Sequence, residues 1–382
     1  MTDTQERPAP NTAASAPPPL PSDQEVRETI RVVNDHAPRA FTWDYGRERP
    51  QLVTLYNKAT TSQWSSVTDL DWAIEVDQEA IIDWNSPIMV LSKAAKELPG
   101  SPIKNWGDKE FTQLGIESLK ASLSQFVHGE QGAMLTAAKI VETVPWIDAK
   151  YYAATQTMDE ARHTEVFQRY LHEKVGDMYP MSPFLAGQVF GLLEDDRWDI
   201  AYLGMQIIIE SLALAAFGDM LRRTEEPLLK KLLRYVLADE ARHVAFGILT
   251  LGEVYSDFTE AELKERQEFL AENTLRNQLR STTPEIWERM GVSVEAIVPY
   301  LHEAAAAVKL SPTAGFQRAF FAKLVPNVRK LGLLDANNGY LRQLWGEAGL
   351  LEFEFADDTS EDYAQYDAVA QDRATSSETA PA

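Results

Sequence analysis

With 382 residues and 45% apolar side chains, the chain can build one large core or two ordinary ones. It contains no Cys, which excludes disulfides, Cys-ligated iron–sulfur clusters and thiol catalysis and suits a reducing compartment. A net charge of −22, from 36 basic and 58 acidic side chains, argues against nucleic acid as a partner, because phosphates would be repelled.

The N-terminus lacks the basic start and apolar core of a secretory signal, and no run of eighteen apolar residues is present. The expectation is therefore a cytoplasmic chain without a membrane span. Residues 1–22, rich in Pro, Ala, Thr and Ser, have no apolar period and are expected to be disordered. A short helix is expected from Ser22 to Val33, then a loop through His36 to Pro50, then a helix over Leu52–Ala59. Trp64, Leu70 and Trp72 anchor an irregular segment, and Pro87 and Pro99 bracket another helical run.

From Lys109 the pattern becomes long, apolar and helical. One helix runs from Lys109 to Val144 and is closed by Pro145; the next runs from Ile147 to Val175 and is closed by Gly176. Pro183 opens a region without internal proline that reaches Arg223, and Pro227 starts a helix ending near Tyr255. Shorter helices follow, with breaks near Gly291, Pro312 and Pro326. The segment 359–382 reads as a disordered acidic tail. The acidity from Glu352 to Asp372 serves solubility, with docking of a basic protein as the other reading. Strand signals are absent and no linker interrupts 23–358. The expected architecture is thus all-α: one domain, a four-helix bundle over about 109–255, and additional N- and C-terminal helices.

Chemistry concentrates in a repeat. Asp-Glu-Ala-Arg-His occurs at Asp159–His163 and again at Asp239–His243, and Glu130 and Glu210 each stand thirty residues before the repeated glutamates, Glu160 and Glu240. Every member of the second set lies eighty positions after its counterpart. Because i and i+3 are neighbours on a helix, Glu160 with His163, and Glu240 with His243, can each offer a carboxylate and an imidazole to one cation. A helix of about twenty residues spans about 30 Å, so thirty positions suffice to climb, turn and return to the same height. Four carboxylates also balance two divalent ions. Oxygen-rich ligation with one nitrogen per metal suits iron or manganese, whereas structural zinc prefers thiolates or several imidazoles. Asp159 and Asp239 are placed to hold the outer nitrogen of the opposite histidine, and Arg162 and Arg242 to bridge the two aspartates. His128 and His172 point about 180–200° away from the ligand faces, and His36 and His302 lie outside the bundle, so all four are read as structural.

At these residues the chain resembles the ferritin-like diiron-carboxylate superfamily, with its nearest likeness in the hydroxylase large subunits of bacterial multicomponent monooxygenases. The matching residues are Gly129-Glu130, Asp159 to Thr164, Glu210 and Asp239 to His243, within Lys109 to Leu251. The chain departs from those subunits in being shorter and in its shorter interval from Glu210 to Glu240. Phe167 stands where many ribonucleotide reductase small subunits carry a radical tyrosine. Val236 stands where diiron arylamine N-oxygenases carry a further histidine. Acyl-carrier-protein desaturases use a longer first interval, and ferritins are about half as long.

The resemblance implies a ferritin-like bundle with two iron ions, manganese being able to take one position. It also implies dioxygen activation to oxidise, by hydroxylation, an apolar or aromatic small molecule. With no flavin or nicotinamide fingerprint present, electrons would come from a separate reductase or ferredoxin, and the assembly would be a homodimer or hetero-oligomer. A radical-storing or iron-handling diiron protein, an N-oxygenase and a desaturase remain the alternatives. One or two turns from the ligands stand Phe126, Ala133, Met134, Phe167, Ile207, Ala213, Leu214, Phe217 and Val236, the expected apolar lining. Gln206 is the expected polar lining residue, with Thr164 as a further candidate.

Overall fold

The computed structural model describes residues 31–34, 36–278, 284–308, 315–357 and 368–378. The expected disorder of 1–22, most of the Ser22–Val33 helix and the break near Pro312 lie outside these residues; 31–34 are irregular. The helices are α1 (Pro50–Thr61), α2 (Pro87–Lys96), α3 (Asp108–Thr143), α4 (Ile147–Tyr170), α5 (Pro183–Glu194), α6 (Trp198–Arg223) and α7 (Pro227–Tyr255). They are followed by α8 (Glu260–Gln278), α9 (Pro284–Arg289), α10 (Val294–Val308), α11 (Phe316–Lys330), α12 (Ala336–Glu347) and α13 (Ala368–Glu378). The chain is all-α, and no strand occurs among the described residues.

Four of these helices close a bundle. α3 and α4 form one hairpin, α6 and α7 the other; α4 also packs on α7, and α3 on the first part of α6. Local chemistry sets their ends. The Glu110 carboxylate reaches back to accept from the Gly107 N–H at 2.7 Å, opening α3. Val144, held extended by Pro145, closes it. A wide π turn over Leu171–Val175 extends α4 to Gly176, whose φ of 135° only glycine adopts readily. At α7, the Glu226 carboxylate accepts from the N–H groups of Leu228 and Leu229 at 2.9 and 2.7 Å, with Pro227 in the first turn.

The region opened by Pro183 is not continuous, because Asp195 to Arg197 separate α5 from α6. The break is held from across the bundle. Buried Lys139 of α3 donates to the carbonyls of Leu193 and Asp195 at 2.9 and 2.7 Å, satisfying the free end of α5. α6 itself carries a π segment over Gly204–Ile209, immediately before Glu210. This 26-residue helix is long and apolar enough to cross a membrane, but 83% of its most apolar window is buried within the protein. Core burial therefore accounts for its composition.

Two further expectations change. Pro326 lies inside α11 rather than breaking it, and the neighbouring Asn327 side chain donates to the Lys323 carbonyl at 2.8 Å. The proposed tail contains α13, which packs on α7 with Ala368 and Val369 buried. Asp372 accepts from the Tyr235 hydroxyl at 2.9 Å, and Arg373 donates to the Gln63 carbonyl at 2.7 Å. Composition alone marks such a segment as unable to form a core; a tertiary surface supplies the apolar partners it lacks.

Close packing positions α5 on α3. A Cβ added at Gly132 would stand 2.6 and 2.7 Å from the two methyl carbons of Val189, a branched side chain with little freedom to yield. Overpacking costs about 1–3 kcal/mol, partly offset by the roughly 1 kcal/mol helical advantage of alanine over glycine. Gly132→Ala is therefore expected to lower the melting temperature, and an unchanged or raised midpoint in thermal denaturation would contradict the tight α3–α5 approach.

Candidate metal centre

Each bundle helix carries part of one cluster: Glu130 from α3, Glu160 and His163 from α4, Glu210 from α6, Glu240 and His243 from α7. All six are buried, the most exposed being Glu130 at 4%. They form two groups whose candidate ligand atoms lie within 4.8 Å of one another. One is Glu130, Glu160, His163 and Glu240; the other is Glu160, Glu210, Glu240 and His243. Glu160 and Glu240 belong to both, so they are placed to bridge two cations, with Glu130 and Glu210 terminal. Spacing left open which carboxylates are shared.

The histidines are oriented for this arrangement. His163 Nε2 lies 3.0 Å from Asp239 Oδ2, and His243 Nε2 lies 3.4 Å from Asp159 Oδ2, each aspartate coming from the opposite motif. Since an ionised carboxylate only accepts, each Nε2 carries a proton, and Nδ1 is the atom that would offer its lone pair to a cation once its own proton is displaced. His163 Nδ1 faces Glu240 Oε1 at 3.2 Å, Glu160 Oε2 at 3.3 Å and Glu130 Oε2 at 3.4 Å. His243 Nδ1 faces Glu240 Oε2 at 2.8 Å, Glu160 Oε1 at 3.2 Å and Glu210 Oε1 at 3.4 Å.

Around this shell the arginines balance the aspartates. Arg162 donates to both Asp159 (2.5 Å) and Asp239 (3.0 Å), and Arg242 donates to Asp239. Arg162 thus joins the two aspartates, while Arg242 is seen on Asp239. Two residues that sequence reasoning did not connect to the site complete the shell. Trp64 donates its indole N–H to Asp239 at 2.8 Å, and Gln63 donates to Asp159 at 2.9 Å while accepting from Arg162 at 2.6 Å. They enter from the segment after α1, and no sequence pattern ties that segment to the bundle.

A third residue was also missed. Gln156, one turn before Glu160, donates to Glu210 at 2.7 Å and to Glu160 at 3.1 Å, and accepts from Gln206 at 2.7 Å. Its spacing of four from Glu160 was the available signal, since it puts the amide on the ligand face.

The donor set fits a pair of cations. Four buried carboxylates and two imidazoles converge, and Glu240 Oε1 is buried with no donor in hydrogen-bond geometry, His163 Nδ1 standing 3.2 Å away. A buried unsatisfied carboxylate oxygen is costly unless a cation takes it. Electrostatics agree. Burial pushes Glu130 well above the usual carboxylate range, and the Glu240 charge pushes it further; burial and the charges of Glu240 and Glu160 do the same to Glu210. Burial opposes charge on His163, but the carboxylates of Asp239, Glu130, Glu160 and Glu240 facing it outweigh that and hold its pKa well above the ordinary value. Burial likewise opposes charge at Asp239, yet Arg242, His163 and Arg162 keep it strongly acidic.

The expected substrate lining is largely packed. Phe126, Phe167 and Phe217 form a ring cluster with centroids 4.8–5.4 Å apart, Val236 and Leu214 are buried, and Met134 and Ala213 are half-buried. Ala133 and Ile207 are buried core residues. Thr164 bonds back to the Glu160 carbonyl at 2.9 Å. The clefts lined by Ile81, Asp83, Gly115, Trp84 and Arg223 involve none of the expected lining residues. His128 contacts the Tyr179 carbonyl at 2.9 Å, and His36, His172 and His302 are exposed, so none of the four approaches the cluster.

No protein-family model matches the chain, and no curated protein matches it. Among solved structures, it is similar to an R2-like ligand-binding oxidase with aerobically reconstituted metal cofactor after photoconversion. That match has a TM-score of 0.41 and 17% identity, and covers 82% of this chain and 95% of that one. Two single-substitution variants of an R2-like ligand-binding oxidase with aerobically reconstituted Mn/Fe cofactor give TM-scores of 0.40 and 0.42 at the same identity and the same share of this chain. They are covered over 96% and 95% of their lengths. The chemistry argued for this chain rests on its own residues.

Two outcomes follow. Glu240→Ala removes a carboxylate from both groups and should abolish binding of both ions, whereas Glu130→Ala should leave one, as read by elemental analysis after loading; two ions per chain in Glu240→Ala would refute the shared ligand. Because the metal-free pKa values of Glu130, Glu210 and His163 are raised, these groups hold protons that cations must displace. Loading should therefore release protons and tighten as pH rises, measurable by calorimetry in buffers of differing ionisation enthalpy.

Proposed function

We propose that this chain is a diiron-carboxylate oxidoreductase, with manganese able to replace one iron, that uses dioxygen to oxidise an apolar or aromatic small molecule. The observation that carries this reading is the pair of buried groups sharing Glu160 and Glu240, each with a histidine Nδ1 turned inward and Nε2 held by an aspartate. Glu130, Glu160, His163, Glu210, Glu240 and His243 would hold the two ions. When bound, the pair supplies two-electron reduction of dioxygen, which no protein side chain here can perform.

The protein's own contributions are physical. Burial of all six ligands excludes bulk water, which protects a reactive oxidant from side reactions. Asp239 and Asp159 hold the imidazole tautomers, and Arg162 donates to both aspartates. The Phe126, Phe167, Phe217 and Val236 side chains present an apolar wall beside the Glu130 half. Substrate would enter against that wall by displacing or rotating these rings, and hydroxylation is the outcome we favour. A separate reductase or ferredoxin would return electrons.

One observation favours a second reading. The three phenylalanine rings already pack against one another, as a core without substrate would, which suits an iron-handling or radical-storing diiron protein. Loading the chain with ferrous iron and admitting air against a panel of aromatic and aliphatic substrates separates the two. Oxidised product that contains label from ¹⁸O₂ supports the oxygenase. Repeated iron oxidation with no product from any substrate sinks it in favour of the iron-handling reading.

A further inference from the structure

The two halves of the centre are related by the eighty-residue offset, yet they are not alike. The offset carries Glu130 to Glu210, Glu160 to Glu240 and His163 to His243, but it carries Gln156 to Val236 and Phe126 to Gln206. It also carries Phe167 to Gly247. In the half around Glu210, Gln206 fits beside Gly247, where an added Cβ would stand only 2.5 Å from the Gln206 Cβ. In the half around Glu130, the equivalent places hold Phe126 against Phe167, with ring centroids 5.4 Å apart. The exchange is concerted. Where one half has a small residue and an amide, the other has two rings.

The two amides form a relay. Gln156 donates its NH₂ to Oε1 of Glu160 and Oε1 of Glu210 and accepts through its oxygen from the Gln206 NH₂. Gln206 must then donate, which leaves its own oxygen buried without a partner. Both glutamines are fully buried. The relay holds Glu210 in one orientation before any cation arrives. The equivalent of Gln156 beside Glu130 is Val236, which has no polar side-chain atom.

The geometry points to two inequivalent cation positions, with Gln156, braced by Gln206, as the positioning residue that makes the Glu210 position the tighter. This deepens the reading of the six residues as ligands of two cations and rests on it. A carboxylate already aligned and hydrogen-bonded loses less freedom on coordination than one that must be ordered by the ion. Loss of such an outer partner changes metal affinity by about 10–100-fold, so stepwise affinities should differ on that scale.

Manganese(II) alone, titrated anaerobically into the metal-free full-length chain, tests this by electron paramagnetic resonance. At one equivalent the native chain should hold mostly single ions, giving an uncoupled six-line spectrum; a second equivalent should convert it to a coupled pair. Gln156→Leu should close the gap, so that at one equivalent coupled pairs and empty chains grow at the expense of single ions. Gln206→Leu touches no ligand and should narrow the gap, and it carries the test if Gln156→Leu fails to fold. Glu130→Ala should keep the tight ion, and Glu210→Ala should lose it.

If the native chain binds two ions with no single-ion stage, the inference fails while the two-cation reading stands. A single-ion fraction at one equivalent that is as large in both glutamine variants as in the native chain overturns the role of Gln156. Retention of the tight ion in Glu210→Ala overturns its placement. Fewer than two ions in the native chain would overturn the ligand set itself.

Discussion

Four carboxylates packed into the middle of a helix bundle are the constraint on which the rest depends. Each would be costly to bury as an isolated charge, and the structure answers in layers. The outer layer is closed within the protein: Asp159 and Asp239 face Arg162 and Arg242. The inner layer, Glu130, Glu160, Glu210 and Glu240, has two imidazoles and the Gln156 amide for company, and an excess of negative charge that two divalent cations would cancel. Burial then raises the cost of leaving that layer empty, which is why the pKa values of Glu130 and Glu210 shift upward.

Much of the remaining architecture serves to bring four helices to one height. Lys139 ties the end of α5 to α3, Glu226 anchors the start of α7, and its carboxylate also accepts from Tyr170 at the end of α4. Trp64 and Gln63 brace the aspartates from a segment outside the four helices, and α13 in turn holds that segment through Arg373. The chain of contacts therefore runs from the C-terminal helix to the imidazole of His163 in a few steps, Arg373 to Gln63 to Asp159 and Arg162 to Asp239. Local unfolding at its outer end would loosen the orientation of the inner ligands.

The ends of α3, α4 and α7 were legible because proline and glycine act over one or two residues: Pro145, Gly176 and Pro227 each end or begin a helix by their own backbone chemistry. The break at Asp195 to Arg197 was not, because it is held by Lys139 from another helix. Pro326 misled for the converse reason, since the buried packing of its neighbours Phe321, Leu324, Val325 and Val328 holds α11 together around it. α13 was hidden because its stability comes from the surface it covers rather than from its own sequence.

At the centre, the sequence by itself determined the inventory and its periodicity: four glutamates and two histidines, at helical spacings that put each Glu-x-x-His on one face, repeated at an offset of eighty. Those are properties of the chain, since helix geometry converts separation directly into direction. Only the tertiary structure decided which carboxylates belong to both groups, that Trp64 and Gln63 reach the aspartates, and that Gln156 and Gln206 join in one half while Phe126 packs on Phe167 in the other. These depend on distances between helices, which spacing along a single chain does not contain.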